Sequence, residues 1–399
     1  MIMAVCFTNF GPYHLARLRS LAQRLGREGG SLLAYEVASS ERTYPWKPSR
    51  TIEPFEWITL FPDHVLETLQ ARDCARAFTA ALDRDRPDVL AVAGYARPES
   101  VAGAVWARRN GRPAILMSES QRIDRNRSWW REMIKRRRIR LFDAALVGGP
   151  RHRDYLTDLG MPESLINFGY NAVDNSYYQH QAELWRKSTS RPRSIPDKPF
   201  FLSVCRFAPE KNLGRLVKAF ISYRDRVSES ESWDLVLCGD GPEFPGLCNF
   251  IGRTAYSKAL HLPGFLQSHE LTSWYAQASA FVLPSLSEPW GLVVNEAASA
   301  GLPVLVSNRA GCAETLVPAP EGTTGAQFDP FDVEELTSKL AWMSRLSDHE
   351  RYEMGQRAIQ IVNHWGPERF ADGLLDAVSA AMSQSRHSIQ QPLVQSETK

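Results

Sequence analysis

Two glutamates, Glu288 and Glu296, stand eight positions apart in SLSEPWGLVVNEAASAGLPVLVSN, residues 285–308. The apolar run AFVLPSL just before them reads as a strand, and a helical pattern begins near Gly291. A helix start exposes unpaired N–H groups and about half a positive charge, which favours a phosphate. Gly291 lacks a Cβ, so the backbone there can approach an anion closely. Earlier, Arg206 and Lys211 stand in CRFAPEKN, directly after another strand-like run. Two cations and a helix start could balance a diphosphate with no metal, the guanidinium fork suiting phosphate oxygens. Carboxylates beside a diphosphate need other partners, and vicinal hydroxyls fit them. Glu296, one turn into the helix, suits a ribose diol. Glu288, in the preceding loop, suits the hydroxyls of a sugar on the far phosphate. The chemistry so assembled is recognition of a nucleotide sugar.

The elements that must position these groups follow from the apolar runs. IMAVCFT, SLLAYEVA, FEWITLF, DVLAVAGY, PAILMSES and DAALVGG read as strands, mostly separated by helical patterns such as HLARLRSLAQRL. Such alternation implies a parallel sheet covered on both faces. The stretch NSYYQHQAELWRKSTSRPRSIPDKP is polar and contains proline, so 176–198 is expected to be a linker. The alternation then restarts with FFLSVCRF, DLVLCGDG, HLPGF, AFVLPSL and PVLVSN as strands. KNLGRLVKAFISYRDRV, HELTSWYAQAS and WGLVVNEAASAG are the expected helices. The fold class expected is therefore α/β, with two doubly wound Rossmann-like domains, 1–175 and 199–366, facing a central cleft. A polar, aperiodic tail over 385–399 is expected to be disordered.

Composition narrows the class further. A chain of 399 residues with 43% hydrophobic and 23% charged residues is long enough for two cores. Its net charge of +2 carries no field that points to nucleic acid. The six cysteines are scattered without metal-type spacing, which predicts reduced thiols. The start MIMAVCFTNFGPYH lacks a basic n-region, and no apolar run reaches a membrane span of about 18 residues. A cytoplasmic protein is expected, with contact at the inner membrane face left open.

On these residues the second half resembles the nucleotide-sugar glycosyltransferases of the GT-B fold, glycosyltransferase family 4 (glycosyl transferases group 1). Five pieces carry the resemblance in order: SVCRFAPEKNLGRLVKAF, LVLCGDGPE, HLPGF, SEPWGLVVNEAASAGLPVLVSN and WGPERFADGLLDAV. The match is strong over 200–382 and weaker over 1–175. It implies that Glu288 and Glu296 are the family's E-x7-E pair and that Arg206 and Lys211 are its diphosphate clamp. Gly291, Leu292 and Val293 would offer backbone N–H groups to the far phosphate. Gly239, Asp240 and Gly241 would border the nucleotide, and Phe265 and Leu266 would pass near the base. A terminal helix over 367–382 would cross back to the first domain. The family retains anomeric configuration and needs no metal or other cofactor. UDP-sugars are the first expectation for the donor and GDP-sugars the second; a glycan, lipid-linked or small-molecule hydroxyl is the acceptor.

In the first domain NFGPYHLARL supplies the family's glycine loop, with Gly11 as the phosphate contact. His14 either joins that loop's function or merely caps or packs the helix start. The chain departs from many family members at ILMSESQRID, where Ser118-Glu119-Ser120 replaces a strand-end histidine. Glu119 could contact the sugar or the acceptor, take a proton from the acceptor hydroxyl, or simply pair with a nearby arginine. The following stretch, 125–142, is rich in Arg and Lys and carries Trp129, Trp130, Met133, Ile134 and Ile139 near helical spacing. It reads either as a basic helix for an anionic membrane surface or as one whose tryptophans cover the core.

Other functions are weaker. An NAD-dependent oxidoreductase needs G-x-G-x-x-G after a strand, and both NFGPYH and VGGPRH fail that spacing. A metal-dependent transferase could use Asp83-Arg84-Asp85, but this follows the helical run ARAFTAAL and reads as a helix end. A two-lobed solute receptor would need export. A catalytically silent nucleotide-sugar-binding homologue remains as the alternative that turnover would separate.

Overall fold

The computed structural model describes every residue except 44–45, 47–51, 125–127, 190–191, 193 and 391–399, and for 384–390 the backbone alone. The chain divides into two compact units. Unit 1 holds residues 1–120, 126–171 and 367–399, and unit 2 holds 121–125 and 172–366.

Unit 1 contains strands β1 (Ile2–Phe7), β2 (Ser31–Ser40), β3 (Glu56–Val65), β4 (Val89–Ala93), β5 (Ala114–Ser118), β6 (Ala144–Val147) and β7 (Ile166–Phe168). They form one sheet in the order β3-β2-β1-β4-β5-β6-β7, all pairs parallel. Helices α1 (Pro12–Gly26), α2 (Ala71–Asp85), α3 (Pro98–Arg109), α4 (Trp129–Ile139) and α5 (Pro150–Asp158) alternate with them. Parallel pairing needs long crossovers, and these helices supply all but the one between β2 and β3, which residues 41–55 make without a helix among the described residues. The central strands are buried over nearly their whole length, as a sheet covered on both faces requires. Asp83 and Asp85 end α2 and accept hydrogen bonds from Trp106 Nε1 at 2.7 Å and Tyr35 Oη at 2.5 Å.

Unit 2 contains β8 (Phe200–Val204), β9 (Asp234–Cys238), β10 (Leu260–Gly264), β11 (Ala280–Leu283), β12 (Val304–Ser307) and β13 (Gly325–Phe328). Its sheet runs β10-β9-β8-β11-β12-β13, again parallel throughout. Its helices are α6 (Asn175–Lys187), α7 (Leu213–Arg226), α8 (Phe244–Gly252), α9 (Ser268–Gln277), α10 (Leu292–Ser299), α11 (Ala313–Leu316), α12 (Val333–Arg345) and α13 (Asp348–Val362). Its core joins Phe201, Phe220, Leu235, Val282 and Leu305 under these helices. The last helix, α14 (Pro367–Gln390), packs in unit 1 against α1, β6 and β7. Gly373 lies so close to the Phe168 carbonyl that a Cβ there would collide with it.

The structure departs from the sequence expectations in three places. The stretch expected as a linker, 176–198, is for its first half the helix α6, which buries Tyr178 and Ala182 and belongs to unit 2. Asp174, whose Oδ1 accepts from Tyr177 N at 2.9 Å, caps it, so polarity there marks a helix start and an amphipathic face. The unit boundary accordingly falls at Asn171 and Ala172, four residues before the expected one. The expected disordered tail is helical over 385–390, within α14, and 391–399 lies outside the described residues.

In each sheet the strand order reverses once, between β1 and β4 in unit 1 and between β8 and β11 in unit 2. Loops leaving the carboxyl ends of those neighbouring strands are where open α/β sheets hold ligands. Arg206 and Lys211 follow β8, and Glu288 and Gly291 follow β11. Residues 77 positions apart in sequence therefore arrive at one edge.

Candidate functional site

In unit 2 the chain leaves β8 and makes a single 3-10 turn, Pro209–Lys211. Asn212 closes that turn at φ +61, a conformation Asn tolerates better than most side chains. Its Nδ2 donates to the carbonyls of Pro284 at 3.0 Å and Pro330 at 2.8 Å, tying this loop to the one after β11. Leu286 N donates to the Glu210 carbonyl at 2.8 Å and adds a second tie. The result is an ion pair: Lys211 Nζ lies 2.5 Å from Glu288 Oε2, with both side chains about nine-tenths buried. Ser285 Oγ donates to the same carboxylate oxygen at 3.2 Å. Arg206 is paired as well, its Nη2 lying 2.6 Å from Glu210 Oε1. Its Nε is buried and has no hydrogen-bond partner among the described residues. Both expected diphosphate cations thus rest on carboxylates, and one guanidinium donor still lacks an acceptor.

Gly291 begins α10 at φ +102, where a Cβ would stand 2.9 Å from Leu283 Cδ2. Backbone conformation and packing both demand glycine here, beyond any need to admit an anion. No side chain caps this helix start, and its first residues, Leu292 and Val293, are half-buried. Gly239 and Gly241, at φ +146 and +155, are glycines for a related reason. A Cβ on Gly239 would collide with the Cys205 carbonyl, and one on Gly241 would lie 2.5 Å from the Phe207 carbonyl oxygen. Their smallness lets the loop after β9 lie against the Arg206 loop, where Phe207 N donates to the Asp240 carbonyl at 2.8 Å. Asp240 itself is exposed, and Gly239 N donates to Gly264, which places exposed Phe265 and half-buried Leu266 alongside.

Glu296 is held quite differently. It is 1% exposed, and its two carboxylate oxygens accept from Tyr178 Oη and Tyr275 Oη, each at 2.6 Å. The tyrosines come from α6 and α9. Sequence reasoning missed both, Tyr178 because its helix was taken for a linker. The signal present was NSYYQHQAEL behind an N-capping aspartate.

The unit 1 residues sit at the carboxyl edge of its own sheet. Gly11 is the N-cap of α1, and its N–H donates to His14 Nδ1 at 3.1 Å. His14 therefore caps the helix start, which decides between the readings left open for it. Burial, then the nearby Arg17 charge, push its pKa down to about 3, so the ring is neutral and can accept that bond. The same device recurs after β6, where Gly149 N donates to His152 Nδ1 at 3.1 Å. A Cβ on Gly11 would lie 2.9 Å from Trp46 Cδ1, so an indole occupies the space beside this glycine. Ser118 is buried at the end of β5, with Oγ accepting from Ser120 N at 3.3 Å. Glu119 is exposed and accepts from Asn171 Nδ2 at 2.8 Å. Arg17, buried on α1 with its guanidinium 5.4 Å from the Tyr170 ring centroid, feels the Glu119 charge. An arginine among the apolar positions of HLARLRSLAQRL was the available signal for it.

On α4 the large apolar side chains point to solvent: Trp129 is 78% exposed, Met133 56%, Trp130 46% and Ile134 41%. Only Ile139 of this helix is buried. These tryptophans do not cover the core; residues 125–127 of the same basic stretch lie outside the described residues. Among the described residues no group of His, Cys, Asp or Glu is arranged to hold a metal ion, and no helix is long and apolar enough to cross a membrane.

Comparison with known proteins shows what this chain is similar to. Residues 186–361 match the family model of glycosyl transferases group 1. The chain is 38% identical over 160 residues to the sulfoquinovosyl transferase SQD2 of Arabidopsis thaliana, covering 40% of this chain and 29% of that one. It is 35% identical over 103 residues to the alpha-monoglucosyldiacylglycerol synthase of Acholeplasma laidlawii, covering 26% and 25%. The matched stretches thus span less than a third of the length of either relative. HepE of Anabaena, solved in complex with UDP and glucose, superposes with a TM-score of 0.67 at 16% identity, over 98% of this chain and all of that one. Residues 186–361 thus resemble glycosyl transferases group 1, and the chain as a whole has the GT-B fold.

Proposed function

We propose that this chain is a retaining glycosyltransferase that moves a sugar from a nucleotide sugar to an acceptor hydroxyl without a metal, taking a UDP-sugar in preference to a GDP-sugar. The observation that carries the reading is the cluster at the switch point of unit 2. Lys211, Glu288 and Arg206 meet there beside an uncapped helix start, with Arg206 Nε buried and unpaired. A diphosphate supplies the acceptor that Nε lacks and competes with Glu210 and Glu288 for the two cations. Glu288, released from Lys211, takes the hydroxyls of the transferring sugar. Leu292 and Val293 give N–H groups to the far phosphate, and Gly239, Asp240, Gly241, Phe265 and Leu266 flank the nucleotide. Glu296, oriented by its tyrosines, receives the ribose diol through the acceptor capacity a carboxylate retains after two hydrogen bonds. In unit 1, Gly11 is the proposed phosphate contact, which its amide can make only on leaving His14, and Glu119 is the proposed acceptor of a hydrogen bond from the acceptor hydroxyl. In the transfer the bond from the sugar to the diphosphate breaks, the acceptor oxygen bonds the same carbon on the same face, and the acceptor proton departs with the nucleoside diphosphate. Incubation with a panel of nucleotide sugars in EDTA, followed by product mass and linkage analysis, tests this. Release of nucleoside diphosphate with a retained anomer is expected; binding without turnover would mark a silent homologue, and loss of transfer in EDTA would overturn metal independence.

A finer reading concerns where the acceptor lies. Trp129, Trp130, Met133 and Ile134 form an exposed apolar strip on a helix that also carries Arg131, Arg136, Arg137 and Arg138. Apolar side chains backed by arginines suit the interface of an anionic bilayer. The name of one relative, a synthase of glucosyldiacylglycerol, also points to a lipid acceptor for that protein. Co-sedimentation with vesicles of phosphatidylglycerol and phosphatidylcholine should capture the protein, and Trp129→Ala with Trp130→Ala should release it. Equal capture by pure phosphatidylcholine, or no capture, would remove the membrane from this reading.

A further inference from the structure

We infer that residues 121–124 act as a strap that sets the position of the Glu288 loop, with Gln121 as its positioning residue. The chain passes from unit 1 into unit 2 at Gln121, and the strap contacts that follow are all with unit 2 residues. Gln121 is 1% exposed, and its Nε2 donates to the Glu288 carbonyl at 2.8 Å and the Arg309 carbonyl at 3.2 Å. Asp124 holds the strap in shape: its Oδ2 accepts from Gln121 N at 2.8 Å. Its carbonyl accepts from Ser287 Oγ at 3.3 Å. Arg309 closes the arrangement, donating from Nε to the Leu286 carbonyl at 2.5 Å and from Nη2 to the Ile123 carbonyl at 3.2 Å. Three consecutive residues, Leu286, Ser287 and Glu288, are thus gripped by the strap or by the arginine that binds it.

The grip matters because the loop's other ties, from Asn212 to the Pro284 carbonyl and from Leu286 N to the Glu210 carbonyl, hold it upstream of Glu288. Between β11 and α10 the chain has no strand ladder, only a single bridge from Glu288 to Ala310. The Glu288 carbonyl takes two donors, Gln121 Nε2 and Gly311 N, the latter at 3.0 Å. Fixing that peptide plane fixes the direction in which the Glu288 side chain leaves the backbone, towards Lys211. A carboxylate that must meet a reacting sugar depends on such placement, and a displacement of about 1 Å can cost roughly 100-fold in rate. The kinetic part of this inference rests on the glycosyl-transfer reading; the structural part does not.

Two measurements on Gln121→Leu and Gln121→Glu test it. Leucine keeps the bulk and removes the donor, while glutamate sets a carboxylate against two carbonyls. Hydrogen exchange at the Gly311 and Leu286 amides, both hydrogen-bonded in this loop, should quicken in each variant, more with glutamate. The turnover number should fall about 10- to 100-fold, with the affinity for free nucleoside diphosphate held within about threefold by Arg206 and Lys211. Unchanged exchange would overturn the strap. Faster exchange or a lowered Tm with unchanged kcat would reduce Gln121 to a structural residue and overturn its positioning role. If the wild-type chain shows no turnover with any nucleotide sugar, the transferase reading fails, and exchange alone then supports the strap if faster and overturns it if not.

Discussion

The helix starts of α1 and α10 each follow a strand at the switch point of their own sheet, β1 in unit 1 and β11 in unit 2, and they are finished in opposite ways. Both begin at a glycine. At α1 the Gly11 amide is given to a neutral histidine three residues on, and the motif recurs at α5 as Gly149 and His152. At α10 no side chain caps the start, and the neighbouring charges are an ion pair, Lys211 with Glu288, and a partly unsatisfied arginine. A helix start suited to an anion is therefore marked less by its glycine than by the lack of a side chain that satisfies it. In G-P-x-H the histidine takes that place.

The largest test of this contrast removes the unit 2 charge. Arg206→Ala with Lys211→Ala should weaken nucleoside diphosphate binding by several kcal/mol, given about 1.5–3 kcal/mol for each hydrogen bond to a charged group. Calorimetric titration of UDP and GDP reads this directly. Lys211→Ala alone should also lower stability by about 3–5 kcal/mol, because it leaves the Glu288 carboxylate buried without its cation. Affinity that survives the double substitution would move the diphosphate site away from the β8–β11 switch point.

A smaller effect separates the two glutamates. Glu288 is held by an ion pair to Lys211 that sugar hydroxyls can replace, and its contacts should strengthen as the sugar gains positive charge. Glu296 is locked by two phenols and meets a part of the donor that does not change during transfer. Glu288→Gln should therefore lower kcat more, and Glu296→Gln should mainly raise KM. Tyr275→Phe and Tyr178→Phe should each raise KM by at most about 10- to 100-fold, since each loses one hydrogen bond to a charged group, worth about 1.5–3 kcal/mol. Equal kcat losses in the two glutamate variants would erase the distinction between them.

How much of this was legible in the sequence depends on the distance between partners. The strands that build both switch points are long apolar runs and were readable, as was the set of loops after β8, β9, β10 and β11. The short edge strands β7 and β13 were not, because INF and GAQF carry too few apolar residues to stand out. Glu288 and Lys211 were each visible as charges, but their pairing depends on the turn at Asn212 and on strand order. The resemblance sets Gly239 and Gly241 beside the nucleotide, but it does not show that their missing Cβ atoms make room for the backbone at Cys205 and Phe207. Tyr178 and Gln121 were hidden for the same reason. Each acts through one hydrogen bond or a pair of them to a residue more than 100 positions away, and no local pattern records such a bond.

The smallest effect probes the unit 1 side of the contrast, the neutrality of His14. Its pKa in the folded chain is about 3, below the ordinary 6.5, from burial first and the Arg17 charge second. Between those values the unfolded chain binds a proton that the folded chain refuses. Stability contributed by this residue is therefore intact above pH 6.5 and declines as pH falls towards 3. Protonation would also abolish the Nδ1 acceptor and release the Gly11 amide, so uncapping and charging occur together. The steepest possible decline is about 1.4 kcal/mol per pH unit, and the ring is only half-buried, so a loss of about 1–2 kcal/mol between pH 7 and pH 5 is the expected size. Other groups titrate over the same range, and the difference between two proteins isolates this one. His14→Asn keeps an oxygen acceptor for Gly11 and cannot take a proton. Urea unfolding of both proteins at pH 7, 6 and 5 should show curves that converge as pH falls, the variant being the less sensitive. Parallel curves would mean that His14 titrates as it does in the unfolded chain, and the neutral cap would then lose its place in the comparison with α10.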